Sequence, residues 1–291
     1  MKHFLFVLLL LTGVSCSKKK FINESAPFTS GEALIELDNK KLSEISGIAS
    51  SINNPGFIWA HNDSGNDAEV FLIDTKLNIK LVLELKGIEN RDWEDIAVGP
   101  GPESGKNYIY VAEIGDNEAR YNYKHILRFE EPVAGSGKKI TIDSFDTITF
   151  RLPQQRKDTE CLLLDPVTKD LYVISKREEP VFVYQIPYPY STADTVTAKE
   201  VTSLPFTQIV GGDFSADGKE ILLKNYQNVF YWSNPSGKPV AEVLKEKPQL
   251  LPYEEEPQGE AITWARDGSG FYTLSEMNPT EKTYLYFYKR K

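Results

Sequence analysis

Five segments of this chain repeat one pattern. A polar or acidic position is followed, two residues on, by a second such position (the apolar Val210 in one segment), and then by a run of strand-forming residues. The pairs are Glu44/Ser46, Asp92/Glu94, Asp158/Glu160, Gln208/Val210 and Gln258/Glu260. Successive pairs recur roughly every 50 residues, with one wider step between Asp92 and Asp158. A period of that length with several strands per unit is the mark of a propeller, in which each unit is one blade.

The rest of each unit fits. Second strands are expected at residues 57–61, 108–113, 171–175, 220–224 and 270–275. Each is joined to the first by a turn rich in Pro, Gly, Asn and Asp, which supply the backbone angles of tight reversals. Third strands are expected at residues 70–73, 125–129, 181–184, 229–232 and 284–288, and more polar outer strands at 79–85, 147–152, 198–204 and 239–244. The fifth unit ends without an outer strand, and residues 33–37 can supply it. The expected fold is therefore all-β: a five-bladed β-propeller over residues 30–291, closed by an N-terminal strand. A six-bladed ring using residues 114–157, or a β-sandwich, also accommodates periodic short strands.

Side chains two apart on a strand point the same way. Each pair then projects two groups toward the axis near one mouth. The outer tier is Glu44, Asp92, Asp158, Gln208 and Gln258; the inner tier is Ser46, Glu94, Glu160, Val210 and Glu260. Three inner carboxylates around one axis cannot all stay ionised without compensation. A hard cation compensates best. Ca²⁺ takes six to eight oxygen ligands, and the tier holds no His or Cys to favour zinc. Ser46, Glu94, Glu160 and Glu260 are the expected metal ligands. Pairing of the acids with Arg91, Arg156, Lys157, Lys176 and Arg177 is the competing reading.

The loops after the second strands should ring the same mouth. His61 and Asp63 from the first, and Lys176 and Arg177 from the third, are the candidates for catalytic work; the fourth loop opens on Lys224. His61 beside Asp63 could be a general base, or simply a loop histidine bonded to its neighbour. Trp59, Tyr110, Tyr172 and Tyr272 share one second-strand position and are expected to pack the core. Cys161, in an apolar run, is expected to be a small core residue.

Residues 1–15 combine a basic start with an apolar stretch of about 11 residues, shorter than the ~20 needed to span a bilayer, and so read as an export signal. The segment Gly13-Val14-Ser15-Cys16 resembles a bacterial lipoprotein cleavage box, with Gly13 where Leu is usual. That resemblance implies lipidation of Cys16, a tether over residues 16–29, and attachment to the bacterial cell envelope, facing the periplasm, through the anchor alone. The chain carries 42 acidic and 33 basic side chains for a net charge of −9. Loss of residues 1–15 makes it one unit more negative, which argues against a nucleic-acid partner. A monomer is expected.

The segments at residues 44–48, 62–65 and 91–97 resemble signatures of an uncharacterised family of secreted bacterial β-propellers. The strand starts are similar to those of two better-understood groups. Calcium-dependent apyrases hold an axial Ca²⁺ with inner-strand Ser and Glu, which implies Ser46, Glu94, Glu160 and Glu260 here; Val210 departs from the pattern. Phytase-like propellers open strands with Asp-x-Glu-Gly, similar to residues 158–161. Two functions follow as expectations. One is a binding or scaffolding module for a small anionic ligand, glycan or protein at a Ca²⁺-occupied pocket. The other is a metal-dependent hydrolase of phosphate esters or related anions.

Overall fold

A computed structural model describes residues 26–291. The export signal, Cys16 and most of the tether lie outside the described residues. Five blades of four antiparallel strands follow one another along the chain, two of them extended by an added edge strand. Blade one is Ile45–Ser50, Ile58–Asn62, Glu69–Ile73 and Ile79–Leu85. Blade two is Trp93–Pro100, Asn107–Glu113, Lys124–Glu130 and Asp146–Arg151. Blade three is Thr159–Leu164, Leu171–Ser175, Val181–Ile186 and Lys199–Leu204. Blade four is Ile209–Phe214, Glu220–Asn225, Val229–Ser233 and Gln249–Leu251.

Blade five is built from both ends of the chain. Gly259–Trp264, Gly270–Ser275 and Tyr284–Lys289 come from the C-terminal end, and Glu32–Glu36 pairs antiparallel with the last of them. Phe28, in the segment expected as tether, is fully buried against Tyr231, Trp264 and Phe271. The innermost strand of every blade packs on that of the next, and the fifth packs on the first, so the ring closes at five. Residues 114–157 form no sixth blade. They supply the outer half of blade two, and Lys139–Ile142 runs back to lie parallel on the edge of blade one. Val196–Thr197 caps blade two in the same way. Each extra strand covers an edge that would otherwise offer unpaired backbone groups.

One expected strand is not there. Residues 239–244 carry a short helix, Val240–Val243, and the outer strand of blade four comes later. The cause is local: Pro239 has no N–H for a ladder, and its φ of −52° suits a helix start. Val240, Val243 and Leu244 then share one buried helical face.

Five apolar clusters fill the five spaces between blades. Trp59, Tyr110 and Tyr172 are buried in three of them, and Tyr272 packs half-buried in a fourth. Cys161 is fully buried in the cluster between blades three and four, where burial pushes its thiol well above the ordinary value. This wedge packing fixes each innermost strand rigidly against its neighbours. It thereby sets the positions of whatever those strands project into the channel.

Candidate functional site

The ladder between first and second strands breaks at the same point in every blade. Ile45 pairs with Asn62 and Gly47 with His61, so Ser46 is extra. The same skip leaves Glu94, Glu160, Val210 and Glu260 as extra residues. All five inner-tier positions are therefore β-bulges, devices that bend a strand and re-aim one side chain. The sequence shows the pair spacing but not the bulge, because nothing local in a residue's identity marks an unpaired position.

The bulges do not produce a uniform ring. Glu94 is buried and is common to two groups of carboxylates, Asp63–Asp92–Glu94 and Glu94–Asp158–Glu160. In each group one oxygen per residue lies within 4.8 Å of the others. Glu260 sits apart from both groups: its Oε1 accepts from the Tyr226 hydroxyl at 2.7 Å and lies 3.9 Å from Lys176 Nζ. Ser46 turns aside, donating to the carbonyl of Trp93 at 3.1 Å with its Oγ 3.3 Å from His61 Nδ1. Val210 adds a buried apolar wall. In the outer tier only Asp92 and Asp158 are buried; Glu44 and Gln258 are exposed and Gln208 is half-buried.

The two sides of the mouth are neutralised differently. Lys176 donates to Glu160 Oε1, and Arg177 Nε donates to Asp158 Oδ2 at 2.7 Å. The backbone N–H of Asp116 donates to Asp158 Oδ1 at 2.9 Å. Burial alone would lower the Lys176 pKa, but Glu160 more than offsets it and holds the ammonium charged. Glu160 Oε2 is buried with no hydrogen-bond partner. On the blade-two side no cation among the described residues bonds Asp92 or Glu94; Lys124 and Arg91 act on Asp92 only through space. Burial, then Asp63 and Asp158, push Asp92 up to about 6. Burial, then Glu160, Asp63, Asp92 and Glu260, push Glu94 well above the ordinary range. Glu276, at the rim, is pushed up to about 8 by burial and then by Glu260, Asp63 and Glu44.

The fourth catalytic candidate, His61, is not at the surface of the mouth. It is fully buried beneath the bulge of blade one, edge-on to Trp93 at 5.7 Å, and its Nε2 has no partner. Burial lowers its pKa to about 4, which leaves a neutral ring and a weak base. Lys224, expected in the rim, is also fully buried, bonded to the carbonyl of Gly259 and to Tyr253. Gly115, Tyr226 and Glu276 lie in the loops expected to ring the mouth, without a role assigned to them there; Lys124 lies outside those loops. Lys124 carries one signal, an ammonium opening an apolar strand. It is held by the carbonyl of Ile114, and burial lowers its pKa to about 8.

Gly115 shapes the floor. A Cβ at this position would run into Glu94 Oε1 and Asp92 Oδ2, well inside contact distance of both. Only a glycine lets the backbone approach the carboxylates this closely. The donor set is thus all oxygen, crowded, partly unpartnered and cradled by backbone. Those are properties of a hard-cation site, and they fit Ca²⁺ better than a nitrogen- or sulfur-loving metal. No protein-family model and no curated protein matches this chain.

Proposed function

We propose that this propeller holds a hard divalent cation, Ca²⁺ in preference to others, at the Glu94 cluster and uses it to bind a small anionic ligand, glycan or protein. The observation that supports this reading above all is that Glu94 belongs to both carboxylate groups. Ligands on one Ca²⁺ lie 2.3–2.6 Å from it, so two of them are at most roughly 5 Å apart. Both groups meet that limit. The cation would relieve the repulsion that raises Glu94 and Asp92, and would present a positive centre at an otherwise acidic mouth. Likeness of the strand starts to calcium-dependent apyrases and phytase-like propellers points the same way.

Binding is favoured over hydrolysis because the one histidine near the site is buried and neutral. The export signal and Cys16 make the protein an envelope lipoprotein in this reading, facing the periplasm, with no nucleic-acid partner. Two measurements test it. Calorimetry should show Ca²⁺ binding that Glu94→Gln weakens at least tenfold; absence of divalent-ion binding would sink the cation site. Phosphate release from nucleotides or phytate, lost in the same variant, would instead make the protein a metal-dependent hydrolase. Labelled fatty acid should enter the wild-type protein and not Cys16→Ser.

A further inference from the structure

A second site adjoins the first and has the opposite charge. A cleft of about 450 Å³ opens between residues 121–124 and 151–156. Its charged lining is Lys124, Arg151 and Arg156, with no carboxylate, in a chain where acids outnumber bases 42 to 33. The three cations bond only to neutral atoms among the described residues. Arg151 Nε donates to Thr197 Oγ1 at 3.0 Å, Arg156 Nε to Asn122 Oδ1 at 2.8 Å, and Lys124 to the carbonyl of Ile114. Arg156 and Asn122 stand on opposite walls, so their bond ties the cleft together. Lys124 forms part of the floor and also faces Asp116, Asp158 and Glu94.

The remaining lining is suited to a polyhydroxylated molecule. Asn122, Gln154 and Gln155 offer amides that both donate and accept, as hydroxyls require. Tyr121 and Tyr123 are 39% and 48% exposed, two large rings at one cleft. The Arg91 guanidinium, itself paired with Glu113 at 3.6 Å, lies 4.2 Å from the Tyr121 ring centre, which steadies that ring. The cleft has the size of a small-ligand pocket. Guanidinium forks match the paired oxygens of carboxylate, sulfate or phosphate.

We propose that this cleft binds an anionic sugar, a saccharide ring that carries a carboxylate, sulfate or phosphate group. Arg151 and Arg156 take the charged group, and the amides and tyrosines take the ring and its hydroxyls. The inference does not depend on the cation site, since it uses none of the carboxylates.

The test is calorimetry on the purified full-length chain, in EDTA and again with Ca²⁺. The probes are trigalacturonate, a sulfated disaccharide, glucose 6-phosphate, neutral maltotriose, and inorganic phosphate and sulfate. At least one anionic sugar should bind tenfold or more tighter than maltotriose and than the inorganic anions, and should weaken as salt rises. The double variant Arg151→Gln/Arg156→Gln should lose at least tenfold; both side chains are exposed, so its melting temperature should hold. Binding should be equally tight in EDTA and in Ca²⁺, which separates this site from the cation site. Equal binding of maltotriose or of the bare anions, undiminished binding by the double variant, or binding by no probe would each overturn the proposal.

Discussion

Glu131 and Glu94 are both buried glutamates, 2% and 5% exposed, and the propeller treats them in opposite ways. Glu131 follows the third strand of blade two and reaches across to blade one. It accepts from the hydroxyl of Ser51, from the N–H of Ile52 at 3.0 Å and Asn53 at 2.9 Å, and from Trp59 Nε1 at 2.8 Å. Its charge is spread over donors that pin two blades together. Glu94 is surrounded instead by other carboxylates and by the bare backbone of Gly115. A buried acid saturated by donors is part of the scaffold. A buried acid facing acids stores repulsion, which the structure can release only through protonation or a cation.

The comparison makes its largest demand at Glu131. Glu131→Ala strips four donors of their acceptor, two of them backbone amides and one the indole of a fully buried Trp59. Urea unfolding should show a loss of about 3 kcal/mol or more, with Ca²⁺ affinity little changed. A variant as stable as the wild type would show that the clamp is not structural.

Gly115→Ala comes next. The new Cβ would fall inside contact distance of Glu94 and Asp92, so those carboxylates must swing apart. Calcium affinity should drop at least tenfold, while melting in EDTA shifts by only a few degrees. Glu94→Gln should go further toward separating stability from binding. It removes an acid that folding must protonate against its neighbours, so in EDTA near neutral pH the melting temperature should rise by about 2–4 °C, equivalent to ~1 kcal/mol. Added Ca²⁺ should then stabilise it less than it stabilises the wild type. A fall in EDTA melting would mean that Glu94 is held by donors, as Glu131 is, and the contrast between the two residues would collapse.

Why the scaffold is readable and the site only partly so follows from the same residues. Blade count, strand order and the closing strand depend on apolar periodicity and turn residues, which are local and repeated five times. The outer strand of blade four falls later than expected because the β-branched residues Val240 and Val243 also suit one face of a helix once Pro239 starts it. At the mouth, spacing picks out Glu94, Asp92, Asp158 and Glu160 as neighbours. It gives no account of Ser46, which satisfies itself on Trp93 and His61; the ammonium of Lys176 takes Glu160, as the competing reading of paired acids has it, and also draws near Glu260. The contacts of Ser46 with Trp93 and of Lys176 with Glu260 cross from one blade to another, and no window of sequence contains them. The basic cleft escapes the sequence for a related reason: Arg151 and Arg156 flank a turn, and only the fold brings Lys124 and the two tyrosines beside them.

The smallest expected effect is on the pH dependence of stability. Glu276 is raised from 4.5 to about 8 and Glu256 from 4.5 to about 7, both chiefly by burial. Asp92 is raised from 3.8 to about 6. For each, the folded state holds a proton that the unfolded state has released, so stability falls as pH climbs from the unfolded value toward the folded one. His61 runs the other way. Its lowered pKa, about 4 against 6.5, makes stability rise with pH over that interval and masks Asp92. Between pH ~6.5 and ~8 the histidine is neutral in both states, and Glu276 and Glu256 contribute a decline in the same direction as the raised Glu94. In EDTA the melting temperature should therefore decline across that window, by a few degrees at most because Glu276 is partly solvated. Glu276→Gln should make the decline shallower by its own contribution and leave the part due to Glu256, which is paired with Tyr253 and Lys224 away from the Glu94 cluster. Ca²⁺ should stabilise the wild type more at pH ~8 than at pH ~6.5, since protons and the cation compete for the same oxygens. A calcium effect independent of pH would place the ion somewhere other than among these raised carboxylates.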